Sequence, residues 1–204
     1  MEIQYYGANC FRISTKKASI VIDDLSGTVA KAGEIALFTG KYFAPKADVK
    51  IVIEQPGEYE VSDTSIQGIA ARSHLETEGD LSVTMFKIIG DDVRVAVIGH
   101  IYPELSDDQL EALGTIDVLL IPVGGSGYTL DPVGALKLIK KIEPKLIIPS
   151  HYADKAVNYE VPQIDLADAL REMSMEPKET LPKLKIKSAE LLGESNQLII
   201  LERQ

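Results

Sequence analysis

Three histidines are the residues best suited to chemistry in this chain, and each follows a segment with the pattern of a strand. They are His74 after residues 66–71, His100 after residues 93–98, and His151 after residues 146–148. Imidazole is the commonest metal ligand in proteins, but the chain has no HxH or HxxxH pair that would fix two ligands locally. The spacing leaves two interpretations open: one shared site at the strand ends, or three separate surface or core histidines.

The element that positions His151 is the segment 117–152. Residues 118–123 are a continuous apolar run, typical of a strand buried on both faces. Asp131–Pro132 has the pattern of an N-cap and a first helical proline, and the helix it begins ends before a second apolar strand at 146–148. Two apolar strands joined by one helix predict a parallel pair. His151 then leaves the carboxyl end of a strand, where α/β sheets place ligand sites.

The loop after the first of these strands is a candidate ligand-binding segment. Its backbone N–H groups could bind an anion or a substrate, although tight turning explains its glycines equally well. Tyrosines near the strand ends, Tyr42 among them, could line a cleft; the alternative is that each is simply half-buried. The ligand-binding candidates are Gly124, Gly125, Tyr128 and Tyr152.

Composition limits the class of protein. The chain has 204 residues, of which 45% are hydrophobic and 25% charged, so we expect an ordinary globular protein with one domain over residues 1–204. The net charge of -10 disfavours binding to nucleic acid or to an anionic membrane. No apolar run is long enough to span a bilayer, the N-terminus lacks the pattern of a signal peptide, and one cysteine, Cys10, excludes an internal disulfide. We therefore expect a cytoplasmic protein.

The remaining elements predict an α+β fold. The first half of the chain is mostly short strands, and segments 184–187 and 198–202 close the chain as strands. Short helices are expected after Ser106, which has capping-box spacing to Gln109, and after Asp165. This order suits a sandwich of two β-sheets with helices packed outside.

Several segments follow one another as in a known family. They are IQYYGANCFRI (3–13), SIVIDD (19–24), PGEYEV (56–61), GIAARSH (68–74), VAVIGH (95–100), DVLLIPVGG (117–125) and PKLIIPSHY (144–152). On these motifs the chain resembles the metallo-β-lactamase fold hydrolases, in the branch of the ascorbate-6-phosphate lactonase-like proteins, over nearly its whole length.

The resemblance implies a four-layer αβ/βα sandwich of two mixed β-sheets with outer helices. It also implies one or two metal ions, commonly zinc, that activate a water for hydrolysis. His74 and His151 stand at metal-ligand positions of the family, and His100 stands where the family has an aspartate.

The chain departs from the family at the main metal-binding motif. The HxHxDH signature should follow the strand at 35–39, where this chain reads GKYFAP (40–45). The residues that replace the three histidines and the aspartate are Gly40, Tyr42, Ala44 and Pro45. Ala8 replaces a further histidine, and the imidazole of His100 has one lone pair where a carboxylate could bridge two metals. We therefore expect a loop at 40–45 and no dinuclear centre.

Two functions follow from these observations. The first, which the missing ligands favour, is a non-hydrolytic pseudoenzyme that keeps the scaffold to bind a small molecule or a protein partner, without a cofactor. The alternative is a metal-dependent hydrolase of an ester, lactone or phosphoester. It would hold one zinc or similar divalent ion on a reduced site of His74, His100 and His151, completed by Glu76, Asp80 or a second chain. A homo-oligomer is expected from the resemblance alone.

Overall fold

The structure is a computed structural model that describes residues 1–40, 42–77, 79–191, 193 and 195–204. The strands formed by these residues are β1 (Glu2–Gly7), β2 (Cys10–Ser14), β3 (Ser19–Ile22), β4 (Ile35–Leu37), β5 (Ile51–Ile53), β6 (Gly57–Val61), β7 (Thr64–Ala71), β8 (Val83–Gly90), β9 (Val93–Val97), β10 (Val118–Pro122), β11 (Leu146–Ser150), β12 (Pro177–Leu181), β13 (Leu184–Lys185) and β14 (Gln197–Leu201). The helices are α1 (Asp107–Leu113), α2 (Pro132–Ile142), α3 (Leu166–Met173) and a 3-10 helix at Ser188–Leu191.

The strands form two mixed sheets packed face to face. The six-stranded sheet has the order β13-β1-β2-β3-β4-β5, and the eight-stranded sheet has the order β12-β14-β11-β10-β9-β8-β7-β6. The apolar core between them includes Phe11 and Ile20 from the first sheet and Phe86 and Leu120 from the second. The predicted α+β sandwich of two mixed sheets is confirmed.

The three described α-helices pack on the outer face of the eight-stranded sheet. Leu113, Leu138 and Met173, one from each helix, belong to the same buried cluster as Leu119 and Ile147 of that sheet. The outer face of the six-stranded sheet is covered differently, by a small cluster that joins Cys10 and Val21 to the loop residue Ala30. None of the described α-helices is long and apolar enough to cross a membrane.

The predicted strand, helix, strand unit has the expected form. β10 and β11 pair in parallel and are buried along their whole length. The carboxylate of Asp131 accepts a hydrogen bond from the backbone N–H of Gly134, and Pro132 begins α2. The capping box between Ser106 and Gln109 at the start of α1 is also present.

Some predicted boundaries differ from the observed ones. β12, with the sequence PKETL, was not predicted, because it is an exposed edge strand held by backbone pairing to β14 rather than by an apolar face. The predicted strand at 184–187 is confined to β13. Gly40 and residues 42–45 belong to no helix or strand, as expected for a loop, while Lys41 lies outside the described residues.

Candidate functional site

Strand direction brings His100 and His151 to one edge of the eight-stranded sheet. β9 and β11 both pair in parallel with β10, so their carboxyl ends point the same way. His100 follows β9 after two residues, and His151 follows β11 directly. Both imidazoles line a cavity of about 450 Å³ together with residues from the other sheet.

The two imidazoles meet edge to face inside this cavity. Their ring centroids are 4.5 Å apart, and the interplanar angle is 89°. Tyr128 lies with its ring centroid 4.9 Å from that of His100, and Tyr159 lies 5.0 Å from His151. Two tyrosines and two imidazoles therefore line one small space, and the imidazoles can exchange protons with a bound molecule.

A glutamine fixes the tautomer of His151. Gln163 Nε2 donates to the backbone carbonyl of Val161 at 3.0 Å, so the oxygen of the same amide faces His151 Nδ1 at 3.2 Å. Because an amide oxygen only accepts, His151 Nδ1 carries the hydrogen and Nε2 keeps the lone pair. Burial lowers the pKa of His151, while the hydrogen bond to Gln163 acts in the opposite direction.

A different amide holds His100. Ser150 Oγ donates to Asn9 Oδ1 at 2.8 Å, and the amide nitrogen of Asn9 lies 3.2 Å from His100 Nε2. The nitrogen of a side-chain amide is a donor, so the lone pair on His100 Nε2 accepts this hydrogen bond. The neutral form of His100 then carries its hydrogen on Nδ1.

His151 has a backbone conformation that depends on Gly124. The φ angle of His151 is 52°, an uncommon value for a residue with a side chain, and its N–H donates to the carbonyl of Ala8 at 2.9 Å. A Cβ at position 124 would lie 1.8 Å from the carbonyl oxygen of His151. Gly124 is thus required for close backbone packing behind the histidine.

Asp23 contributes a buried carboxyl group from the six-stranded sheet. Its two oxygens accept hydrogen bonds from Thr39 N at 2.8 Å and Thr39 Oγ1 at 2.7 Å. Burial raises the pKa of Asp23 to about 6, against the effect of these hydrogen bonds. Asp23 also lines a smaller pocket of about 30 Å³ with His100, His151 and Gly40, enough volume for one water molecule.

His74 ends at the same sheet edge without joining the cavity. β7 is antiparallel to β8, which is antiparallel to β9, so β7 and β9 run in the same direction. The backbone N–H of His74 donates to the carbonyl of His100 at 3.1 Å. Its ring, however, lies beside Tyr102, with centroids 6.1 Å apart, and it does not line the cavity.

The other predicted site residues are divided between the cavity and its surroundings. Tyr128 lines the cavity, whereas Gly124, Gly125 and Tyr152 do not. The ring of Tyr152 lies 5.9 Å from that of Tyr5, and its carbonyl accepts a hydrogen bond from Tyr159. Tyr42 is half exposed outside the cavity.

The residues that the sequence analysis missed include Asp23, Tyr159 and Gln163 of the cavity and Asn9 of the smaller pocket. Asp23 carried a usable signal, because it follows a predicted strand in the same way as the histidines. The other three lie in turns and loops without periodicity, and nothing in the local pattern separates them from solvated polar residues.

Comparison with known proteins identifies the family. The beta-lactamase superfamily domain matches residues 2–151, which is most of the chain. The chain belongs to the beta-lactamase superfamily. The region matched includes all three histidines discussed above.

Individual relatives of this superfamily protein carry related names. A UPF0173 protein of Pyrococcus abyssi is 30% identical and covers 74% of this chain and 83% of the relative. A UPF0173 metal-dependent hydrolase of Pyrococcus horikoshii is 29% identical over 59% of this chain and 60% of the relative. Among solved structures, a Thermotoga maritima protein assigned to the Zn-dependent hydrolases of the metallo-beta-lactamase superfamily has a TM-score of 0.77 and 24% identity, covering 100% and 99% of the two chains. This last match supports the fold.

The dinuclear metal centre implied by the fold does not fit the described residues of this superfamily protein. No three described side chains of the types His, Cys, Asp and Glu come close enough to hold an ion together. The lone pair of His100 Nε2 accepts a hydrogen bond from Asn9, and Gly40 supplies no side chain to the small pocket. Catalytic zinc sites commonly have three protein ligands and one open position, which is more than the two imidazoles provide.

Proposed function

We propose that this protein hydrolyses a small ester, lactone or phosphoester bound in the cavity, with His100 and His151 as the reacting pair. The observation that carries the proposal is the edge-to-face contact of the two imidazoles, whose ring centroids are 4.5 Å apart, in a cavity of about 450 Å³. The names of the relatives, metal-dependent hydrolases among them, support this proposal over the non-hydrolytic scaffold that the missing ligands favour.

The proposed chemistry starts from the neutral imidazole of His151. Burial lowers the pKa of His151, which keeps it neutral near pH 7, and the hydrogen bond to Gln163 leaves the lone pair on Nε2. Nε2 accepts a proton from a water molecule as the water oxygen attacks the carbonyl carbon or the phosphorus atom. The same proton then passes to the departing oxygen, which restores neutral His151. The 30 Å³ pocket has the volume for this water.

The proposal does not depend on a metal ion. The described residues do not form the family's dinuclear set, so the proton transfer is assigned to the protein itself. A single zinc or similar divalent ion is the alternative that the names of the relatives support. Elemental analysis of protein purified without added metal or chelator separates the two forms of the proposal.

A second candidate function is ligand binding without hydrolysis. The sequence feature that favours it is the segment 40–45, where the family resemblance aligns Gly40, Tyr42, Ala44 and Pro45 with the family's metal ligands. The cavity would then bind a small molecule and release it unchanged.

Turnover by purified protein separates the two candidates. The substrates are 4-nitrophenyl acetate, 4-nitrophenyl phosphate and a γ-lactone, with and without EDTA. Hydrolysis that saturates with substrate and survives EDTA supports the proposal, and activity lost with EDTA and restored by zinc supports the form with one metal ion. Binding of these compounds without turnover, measured by calorimetry, would support the second candidate.

A further inference from the structure

The charge of the cavity wall narrows the class of substrate. Asp23 and Asp24 both line the cavity, and among the described lining residues none is a lysine or an arginine. Lys41 lies outside the described residues. The whole chain carries a net charge of -10, so its overall field does not favour an anionic ligand.

Asp24 is held in place as a fixed acceptor. Its carboxylate accepts hydrogen bonds from Ser26 Oγ at 2.8 Å, Val29 N at 2.9 Å and Ala30 N at 2.8 Å. The side chain of Asp24 is buried, and these three hydrogen bonds fix its orientation. The Asp24 carboxylate therefore cannot rotate away from a bound ligand.

Two arginines near the cavity, Arg12 and Arg203, are already paired with carboxylates. Arg12 donates to the Tyr6 hydroxyl, but its Nε lies 3.0 Å from Glu34 Oε1. Arg203 Nε lies 2.8 Å from Asp154 Oδ2. Phosphate sites in proteins are built from unpaired arginine or lysine and from helix N-termini, and the described cavity wall has no such group.

Apolar side chains form another part of the wall. Leu25 and Phe43 line the cavity and are 43% and 45% exposed. Val29 and Val157 line it as well. Large apolar side chains left exposed beside a pocket are typical of ligand-binding surfaces.

We propose that the cavity takes an uncharged ester or lactone with an apolar substituent and excludes phosphoesters. This inference rests on the proposed function, because it names the substrate class of the same site. The imidazole pair and Tyr128 face the acyl group, while Leu25 and Phe43 contact the apolar substituent. A phosphate group would have to give up its hydration beside Asp23 and Asp24 without a compensating lysine or arginine among the described lining residues.

Three small probes test the inference without requiring turnover. N-phenylacetamide has an uncharged acyl group, phenyl phosphate places a dianion on the same ring, and acetamide lacks the ring. Calorimetry at pH 8 and low ionic strength should show N-phenylacetamide binding at least about tenfold more tightly than either of the others. Equal or tighter binding of phenyl phosphate, or no binding of N-phenylacetamide at about 10 mM, would overturn the inference.

Two pairs of variants locate the selectivity. Phe43→Ala should weaken N-phenylacetamide several-fold, whereas Leu75→Ala, which truncates a 71% exposed leucine away from the cavity, should not. Asp23→Asn should improve binding of phenyl phosphate relative to N-phenylacetamide, whereas Asp63→Asn in the turn between β6 and β7 should leave the ratio unchanged. Equal effects of a variant and its control would contradict the assignment.

The outcomes also separate this inference from the proposed function. Selective binding of N-phenylacetamide without hydrolysis of any ester would sink the proposed function and leave the selectivity standing. Hydrolysis of 4-nitrophenyl phosphate together with tight binding of phenyl phosphate would support the proposed function and contradict the selectivity for uncharged substrates.

Discussion

The imidazole of His151 stands perpendicular to that of His100, with ring centroids 4.5 Å apart, and each ring is held by a side-chain amide. Gln163 faces His151 Nδ1, and Asn9 faces His100 Nε2, both at 3.2 Å. The hydrogen-bonded ring nitrogen is therefore Nδ1 in His151 and Nε2 in His100. The pair is therefore chemically asymmetric, with a lone pair on His151 Nε2 and a hydrogen on His100 Nδ1.

Replacing Gln163 should remove the preference of His151 for the Nδ1–H tautomer. Gln163→Leu removes the acceptor for Nδ1–H, so the Nε2–H tautomer, which cannot accept a proton at Nε2, becomes populated. We expect kcat to fall roughly tenfold with little change in KM. Nitrogen NMR of the imidazoles reports the tautomer directly, and Gln67→Leu on β7 is the control. An unchanged tautomer ratio in Gln163→Leu would contradict the role given to this residue.

Replacing Asp23 should stabilise the fold at neutral and alkaline pH. The pKa of Asp23 is raised by burial from 3.8 to about 6, so the folded state holds a proton that the unfolded state has lost between these values. The stability that the buried, protonated Asp23 contributes is fully present below about pH 4 and declines as the pH rises through 6. Above about pH 6 the folded state contains a buried charge. A shift of this size corresponds to about 3 kcal/mol.

Urea unfolding between pH 4 and 8 measures this effect for Asp23→Asn. Asparagine is neutral throughout the range, so the variant should gain stability relative to the wild type as the pH rises above about 6. Asp63→Asn is the matched control. If the free energy of unfolding changes by the same amount between pH 4 and pH 8 in the wild type and in Asp23→Asn, the titration of Asp23 does not affect stability and the prediction is wrong.

The histidine positions were predictable because strands leave a pattern in the sequence. The apolar runs before His100 and His151 mark β9 and β11, and parallel pairing with β10 places both strand ends at one edge. The same reasoning brought His74 to that edge. It did not reveal that the ring of His74 lies beside Tyr102, because side-chain direction in a loop depends on contacts between distant parts of the chain.

The partners of the histidines were not predictable for a related reason. Asn9 is 91 residues from His100 in the chain and lies in a turn of the other sheet. Gln163 lies in the loop before α3, where polar residues show no periodicity. Likewise β12 has no apolar face, so only its pairing with β14 reveals it as a strand.

Adding a methyl group at Gly99 should disturb the contact between the two sheets beside the site. A Cβ at this position would lie 2.6 Å from Thr39 Oγ1, the hydroxyl that donates to Asp23. Gly33 has a similar positive φ but nothing within 4 Å of its Cβ position, so Gly33→Ala isolates the cost of the backbone conformation. We expect Gly33→Ala to cost about 1 kcal/mol and Gly99→Ala at least about 2 kcal/mol more. Equal losses in the free energy of unfolding of Gly33→Ala and Gly99→Ala, measured with urea, would show that the close contact between Gly99 and Thr39 is not required for stability.

The most direct test of the proposed site is hydrolysis of 4-nitrophenyl acetate by His151→Ala and His74→Ala, each assayed with and without EDTA. The two histidines follow strands at the same sheet edge, but only His151 lines the cavity. We expect His151→Ala to lose at least about a hundredfold in kcat/KM, while His74→Ala keeps the wild-type rate and EDTA changes neither result. Loss of activity in both variants, with an EDTA-sensitive wild type, would contradict this account and support the three-histidine metal site.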